Sequence, residues 1–349
     1  MTLEIPVWPS VYGSPSGVGK IRTMPEDFIV YENLGFEPSG DGEHVYLQIQ
    51  KTGENTDYVA RQLARLANVR QRDIGYAGLK DRHAVTTQWF SVWLPGLTEP
   101  DWLAFTTENI HVLHTVRHAR KLRRGVLSGN SFNITVRDWQ GDQLKTVEQL
   151  SSIKENGIAN YYGEQRFGNQ GQNVNKALAM FMGMKVGREQ RSLYLSAARS
   201  FLFNQILGER VTTGIWNQAL VGDTYMFDGS HSSFKSQMPD TEILRRLETK
   251  SIHPTGVLWG KGEIGVSADA LAIEQKVIET NCELAQGLVA CGVEKSRRTL
   301  RVNVDNLEWE FSNQTTLQLK FTLPAGSYAT SLLREIIGIP SPVYHLKNS

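Results

Sequence analysis

Gly78-Leu79-Lys80-Asp81 sets one carboxylate beside one ammonium, between two segments of strand character. Loops held by strands are where catalytic groups commonly sit, and glycine there permits a sharp turn or a close backbone approach. The same four residues also suit an ordinary hairpin with an exposed Lys-Asp pair, and taken alone that is the simpler assignment. A second acid pair stands in Pro25-Glu26-Asp27-Phe28, with Arg22 just upstream. It reads either as a functional cluster or as turn acids preceding a core phenylalanine.

Other segments carry the chemistry of nucleic-acid contact. Between Asn109 and Arg137 there is no Asp or Glu, yet Arg117, Arg120, Lys121, Arg123, Arg124 and Arg137 lie there. A block of one sign in a chain of net charge +1 is either a footprint for a polyanion or a face whose counter-charges come from elsewhere in the fold. At its end, Asn130-Ser131-Phe132 offers an amide and a ring, which can hold a nucleobase by its edge and by its face. Turn formation by Asn130 and core packing by Phe132 are the plainer readings. Asn160 to Gly168, including Arg166, runs into Asn169-Gln170-Gly171-Gln172-Asn173. This is poor core material, suited to donating to phosphate or ribose or to a domain-junction loop. Leu323 to Thr330 puts small residues at a helix start, where an anion or simple capping fits equally.

Several classes are excluded. No Walker spacing is present, so an ATPase is not expected. Cys282 and Cys291, the only two cysteines, match neither a disulfide framework nor a metal-ligand spacing and read as two buried thiols. No metal site or cofactor is expected. The N-terminal residues lack a secretory pattern and no apolar run reaches membrane length. The expectation is a cytoplasmic protein with no membrane association.

Strands are expected at Phe28–Glu32, His44–Ile49, Ile74–Tyr76, Trp89–Trp93 and Ser131–Val136, from length and β-rich composition. Val59, Leu63 and Leu66 recur at helical spacing between Thr56 and Ala67, with Asn68 as the helix end. From about Asn160 to Arg298 the pattern is more helical. Its clearest helices are Leu195–Leu207 and Ser267–Cys291, the latter with Ser267 as N-cap and Gly292 as stop. Strand patterns return at Leu300–Val304, Leu307–Phe311 and Leu317–Leu323, followed by a helix over Ser327–Ile337. At 349 residues two domains are expected, a helical middle interrupting one domain built from both ends.

Six segments, in order and over essentially the whole chain, resemble the TruD-type tRNA pseudouridine synthases. They are Arg22 to Phe28, Ala77 to Thr86, Gly129 to Phe132, Asn160 to Gly168, Leu195 to Ser200 and Leu323 to Glu335. The resemblance implies an α+β fold. A pseudouridine-synthase catalytic domain, with a mixed, mainly antiparallel sheet flanked by helices, would span 1–158 and 304–349. An inserted α/β TruD-specific domain would span 159–303. It further implies a tRNA substrate modified at uridine 13 in the D-stem, Asp81 as the catalytic aspartate, and Phe28, Asn130, Phe132 and Tyr328 around the target nucleotide. Leu79 and Tyr328 depart from some relatives, which carry Gln and Phe there.

Pseudouridine formation breaks the C1′–N1 bond, rotates the uracil and joins C1′ to C5, so nothing is oxidised and nothing leaves. One carboxylate suffices, whether Asp81 attacks the nucleotide or removes a sugar proton. Water must be kept out, or cleavage becomes base loss. A buried Asp stays ionised only if a cation or donors hold its charge. By analogy with the family Arg22 is the expected cation. Lys80 comes second, because adjacent residues on a strand-like loop point apart. Arg166 is a further expected carboxylate partner or RNA contact, and Arg120, Lys121, Arg123 and Arg124 are expected on phosphates. No protein partner is implied, and a monomer is expected. The rivals are a non-catalytic RNA-binding module and an RNA hydrolase using Asp27 and Asp81.

Overall fold

The computed structural model describes residues 3–96 and 98–338. In chain order its strands are β1 (Gly17–Lys20), β2 (Phe28–Leu34), β3 (His44–Thr52), β4 (Ile74–Tyr76), β5 (Val85–Trp93), β6 (Ile110–His118), β7 (Leu127–Gly141), β8 (Ile158–Ala159), β9 (Thr224–Phe227), β10 (Ser233–Lys235), β11 (Ile252–Leu258), β12 (Ser296–Thr299), β13 (Arg301–Val302), β14 (Asp305–Asn313), β15 (Thr316–Pro324) and β16 (Ile337–Gly338). The helices are α1 (Thr56–Leu66), α2 (Gln143–Asn156), α3 (Gln172–Phe181), α4 (Arg188–Thr212), α5 (Thr241–Glu248), α6 (Ala268–Thr280), α7 (Cys282–Ala290) and α8 (Ala329–Ile336).

Two compact units emerge. Among the described residues the sheet unit takes 16–96, 98–143, 304–326 and 337–338, and the helical unit takes 3–15, 144–303 and 327–336. These bounds differ from 1–158, 159–303 and 304–349, and packing explains the difference. Trp8 is buried against Tyr161, Phe167 and Phe201. The Glu335 carboxylate accepts the N–H groups of Val11 and Tyr12, and Ser331 donates to the Tyr161 carbonyl. Residues 3–15 and α8 therefore complete the helical unit.

The sheet unit is one mixed sheet in the order β14-β15-β7-β2-β5-β3-β6, with β1 on β7 and β16 and with β4 on β5. Its β2–β5 and β1–β16 pairings are parallel and the others antiparallel, which is the expected mixed, mainly antiparallel arrangement. Period-two alternation produces it: Leu317, Leu319, Phe321 and Leu323 of β15 point inward while their neighbours stay more exposed. In α1, Val59, Ala60, Leu63 and Ala64 form the buried stripe. They pack on Val45, Leu47, Ile49, Phe90 and Val92, each large aliphatic contributing about 1.5–3 kcal/mol by burial. Asn68, at φ 50°, ends the turn after α1.

The helical unit is organised on α4, whose Ala197, Ala198, Phe201, Leu202, Phe203 and Leu207 lie in its core. A four-stranded sheet, β10-β9-β11-β12, and the β8–β13 pair accompany it. Three local expectations are corrected. Ser267–Cys291 is two helices, because Asn281 at φ −117°, ψ 40° leaves helical geometry between α6 and α7. Leu300–Val304 is shorter, since the chain leaves β12 for β13 and Leu300 itself is in neither. Cys282 is exposed and Cys291 half-buried, because the break puts Cys282 at the first turn of a separate helix.

Candidate active site

β4 and β5 pair antiparallel, and residues 77–84 between them carry Asp81. Side chains from three elements clamp this loop. Gln88 Nε2 of β5 donates to the Gly78 carbonyl at 2.6 Å, and the Lys80 N–H donates to Thr56 Oγ1 of α1 at 3.0 Å. Thr56 in turn donates to Gln88 Oε1 at 3.0 Å. Lys51 of β3 donates from Nζ to the Asp81 carbonyl at 3.2 Å and to the Glu54 carbonyl at 2.8 Å. The loop is thus a fixed platform, unlike the freely exposed hairpin that four residues alone suggest.

The Asp81 carboxylate projects from that platform. Its Oδ2 lies 2.6 Å from Arg22 Nη2, and Oδ1 accepts the His83 N–H at 3.3 Å. Both side chains keep about a quarter of their surface exposed, 24% for Arg22 and 26% for Asp81. Arg22 holds a left-handed φ of 59° ahead of the 3-10 turn Pro25–Asp27. Its guanidinium lies 4.1 Å above the centre of the buried Phe28 ring. Cation–π attraction and the ion pair together fix the guanidinium against the carboxylate.

Lys80 turns the other way. Its Nζ is 2.9 Å from Glu32 Oε2 and 2.6 Å from Asn130 Oδ1. Glu32 and Asn130 are directly paired across β2 and β7. Of the two candidate cations, Arg22 pairs with the Asp81 carboxylate. Burial pushes the Glu32 carboxyl up, against the lowering effect of Lys80 and of the Trp89 N–H. Burial also pushes the Lys51 ammonium down to about 8, with the Asp81 charge drawing it back up.

Phe28 and Phe132 are both buried, edge-to-face at 6.2 Å, and Phe132 stacks on Phe321 at 5.2 Å. One face of Phe28 is occupied by Arg22. Asp27 is buried and takes Arg137 Nε at 2.8 and 3.0 Å, so it is engaged as a structural acid. Among the described residues no group of three His, Cys, Asp or Glu could hold a metal ion, and no helix is long and apolar enough to cross a membrane.

The acid-poor block divides in two. Arg117 pairs with Glu99 at 2.6 Å and Arg137 with Asp27, so counter-charges elsewhere in the fold neutralise this part. Arg120, Lys121, Arg123 and Arg124 have no carboxylate within 4.0 Å among the described residues. Arg120, Arg123 and Arg124 are exposed. Lys121 is half-buried and donates to the Arg72 carbonyl.

Within the helical unit, Arg166 donates to the Tyr328 hydroxyl at 2.8 Å and to Ser196 Oγ at 3.0 Å. The Tyr162 ring lies under Arg298 at 4.1 Å and near Arg166 at 5.4 Å, and meets Tyr328 edge-on at 6.1 Å. The glycine-rich segment at 160–168 and the segment at 323–330, read separately in sequence, therefore share one cluster. The sequence reading missed Glu32, Lys51, Thr56 and Gln88. A charged residue within a strand segment was the only signal for the first two.

A family model described as tRNA pseudouridine synthase D (TruD) matches residues 10–183 and 169–336. A tRNA pseudouridine synthase D of Methylococcus capsulatus is 50% identical over 331 residues, 94% of each chain. That of Nitrosococcus oceani is 46% identical, covering 93% of this chain and 91% of the relative. A crystal structure of a putative tRNA pseudouridine synthase D from Methanosarcina mazei shares the fold, with a TM-score of 0.70. It covers 97% of this chain and 96% of its own at 22% identity. The chain belongs to the tRNA pseudouridine synthase D family, and is an enzyme of the isomerase class.

Proposed function

We propose that this enzyme isomerises uridine 13 in the D-stem of tRNA to pseudouridine, with Asp81 as its single catalytic carboxylate. The observation that carries the reading is the 2.6 Å pair between Arg22 and Asp81 on a loop clamped by Lys51, Thr56 and Gln88. Whether the carboxylate attacks C1′ or takes a ribose proton, the reaction needs one ionised acid in fixed geometry, and Arg22 supplies its counter-charge. The uridine must leave the base stack to reach Asp81, at a cost of a few kcal/mol.

In this reading Phe28 acts from beneath, holding Arg22, and Phe132 supports Phe28 and Asn130. Asn130 contacts the nucleotide directly. Arg120, Lys121, Arg123 and Arg124 meet tRNA phosphates, and Arg166 and Tyr328 add contacts to the same RNA. The sheet unit carries the catalytic acid, and the proposed catalytic domain keeps that core. A hydrolase with Asp27 as second carboxylate is disfavoured by the Asp27–Arg137 engagement.

The test incubates purified protein with a tRNA transcript and no cofactor, then maps pseudouridine by carbodiimide-dependent reverse-transcription stops. A stop at position 13 that disappears with Asp81→Asn is expected. No stop, or the same stop in both proteins, overturns the proposal.

A further inference from the structure

Asn130 is held in one orientation by a buried charge pair, Lys80 and Glu32. Lys80 Nζ sits 2.6 Å from Asn130 Oδ1 and 2.9 Å from Glu32 Oε2. An ammonium has three donors and no acceptor, so the amide atom against it must be the oxygen. The Asn130 NH2 group is consequently turned away from Lys80. Among the described residues no acceptor is shown taking its hydrogens, and the residue keeps partial exposure. The other end of the chain of contacts is equally fixed. The Glu32 side chain is wholly buried, and its Oε1 accepts the backbone N–H of Trp89 at 3.0 Å. Trp89 N–H, Glu32, Lys80 and Asn130 form one directed series. At its Asn130 end the group left to engage a ligand is a donor.

We propose that Lys80, anchored by Glu32, is a positioning residue that makes Asn130 a donor-only group toward the target base, so that the site selects a pyrimidine presenting a carbonyl where cytidine presents an amine. The inference rests on the function proposed above. Rotating the amide to accept from cytidine would turn NH2 onto the ammonium, donor against donor, and leave Lys80 with one fewer acceptor in a nearly dry site. Uridine meets the donor without that conflict. A site built to hydrogen-bond its substrate rejects a partner that leaves the site's polar group unpaired far better than an apolar pocket does.

The experiment measures affinities of two tRNA transcripts, with uridine or cytidine at the target position, in an Asp81→Asn background that prevents turnover. With Lys80 and Glu32 intact, uridine is expected to be preferred by about tenfold or more, the scale of one directed hydrogen bond. In Lys80→Met/Glu32→Gln, which removes both charges together and leaves no unpaired buried ion, the preference should fall to within about twofold while the melting transition persists. Asn130→Asp presents only acceptors and should shift the preference toward cytidine. It needs no change to the buried pair, so it decides the matter if the double variant does not fold. A ratio unmoved by Lys80→Met/Glu32→Gln in folded protein overturns the proposal. So does an Asn130→Asp variant that still prefers uridine, or a parent with no preference. Pseudouridine formation by the unaltered enzyme separates the two readings: product with an unmoved ratio sinks only this inference, and no product sinks the function beneath it.

Discussion

Lys51 donates from its fully buried Nζ to the main-chain carbonyl of Asp81 at 3.2 Å, so a cation lies under the backbone of the residue whose carboxylate is paired with a second cation above it. The two contacts differ in kind. Arg22 meets the charge, whereas Lys51 meets the peptide and so sets where the charge stands.

This relationship predicts a pH dependence. The folded-state value for Lys51 is pushed down to about 8 by burial, below its ordinary 10.5. As pH rises through about 8 the ammonium is lost and its hold on the Asp81 loop weakens, so turnover should fall on that limb. Stability moves the opposite way through this group. Between about 8 and 10.5 the unfolded chain binds the extra proton, and folding becomes more favourable as pH rises. A single-turnover rate profile and a melting profile taken together check both signs. Lys51→Arg should carry the alkaline limb upward, and a limb left unchanged by that substitution would show that another group sets it.

Arg22 and Asp81 should be unequal in their effects. Asp81→Asn is expected to remove product formation entirely. Arg22→Ala should lower the single-turnover rate by about a hundredfold, the scale of losing one preorganised electrostatic partner. Arg22→Lys should recover only part, because a compact ammonium cannot keep both the carboxylate and the flat approach to Phe28. Equal rates for Arg22→Ala and the unaltered enzyme would contradict the role given to the pair.

Salt dependence of tRNA binding should sort the basic block. Neutralising Arg120, Lys121, Arg123 and Arg124 one at a time should each reduce the slope of log affinity against log salt by somewhat less than about 1 per phosphate contact. Arg117→Gln should leave the slope alone and act on stability, because Glu99 already engages its charge. If all five substitutions leave the slope alike, the block is a solvated face.

Gly129 offers a purely steric test. It sits in β7 opposite Pro324 of β15, where an added Cβ would collide with the Leu323 carbonyl. Gly129→Ala should destabilise the sheet unit by about 1–3 kcal/mol and displace the neighbouring Asn130. A melting temperature and turnover rate both at the unaltered level would disprove the close packing of these strands.

Legibility in the sequence followed the range of the forces involved. Ile74–Tyr76 and the alternation along Leu317–Leu323 could be read directly, because side-chain periodicity is a local property. The ordered motifs also exposed Asp81 and its likeness to a family. What stayed hidden depends on partners distant in the chain. Glu32 and Lys51 look like ordinary strand charges until Lys80 and the Asp81 carbonyl arrive beside them. The neutralisation of Arg117 by Glu99 is equally invisible. Asn281 breaks a helix that apolar spacing alone carries straight through, because no glycine or proline announces the change.

The strand order carries a consequence for synthesis. β7 is complete by residue 141, but its partner β15 begins at residue 316. At about 5–20 residues per second, the ribosome needs roughly 9–35 s to make what lies between. For that interval the edge of β7 that β15 will cover offers unpaired backbone donors and acceptors, the kind of edge that recruits foreign strands. A chain truncated after residue 303 should therefore sediment as aggregate on expression, while one that includes β14 and β15 should remain dispersed. The arrangement that brings residues so far apart in the chain into one sheet leaves the nascent enzyme dependent on whatever shields that edge until residues 316–324 have been made.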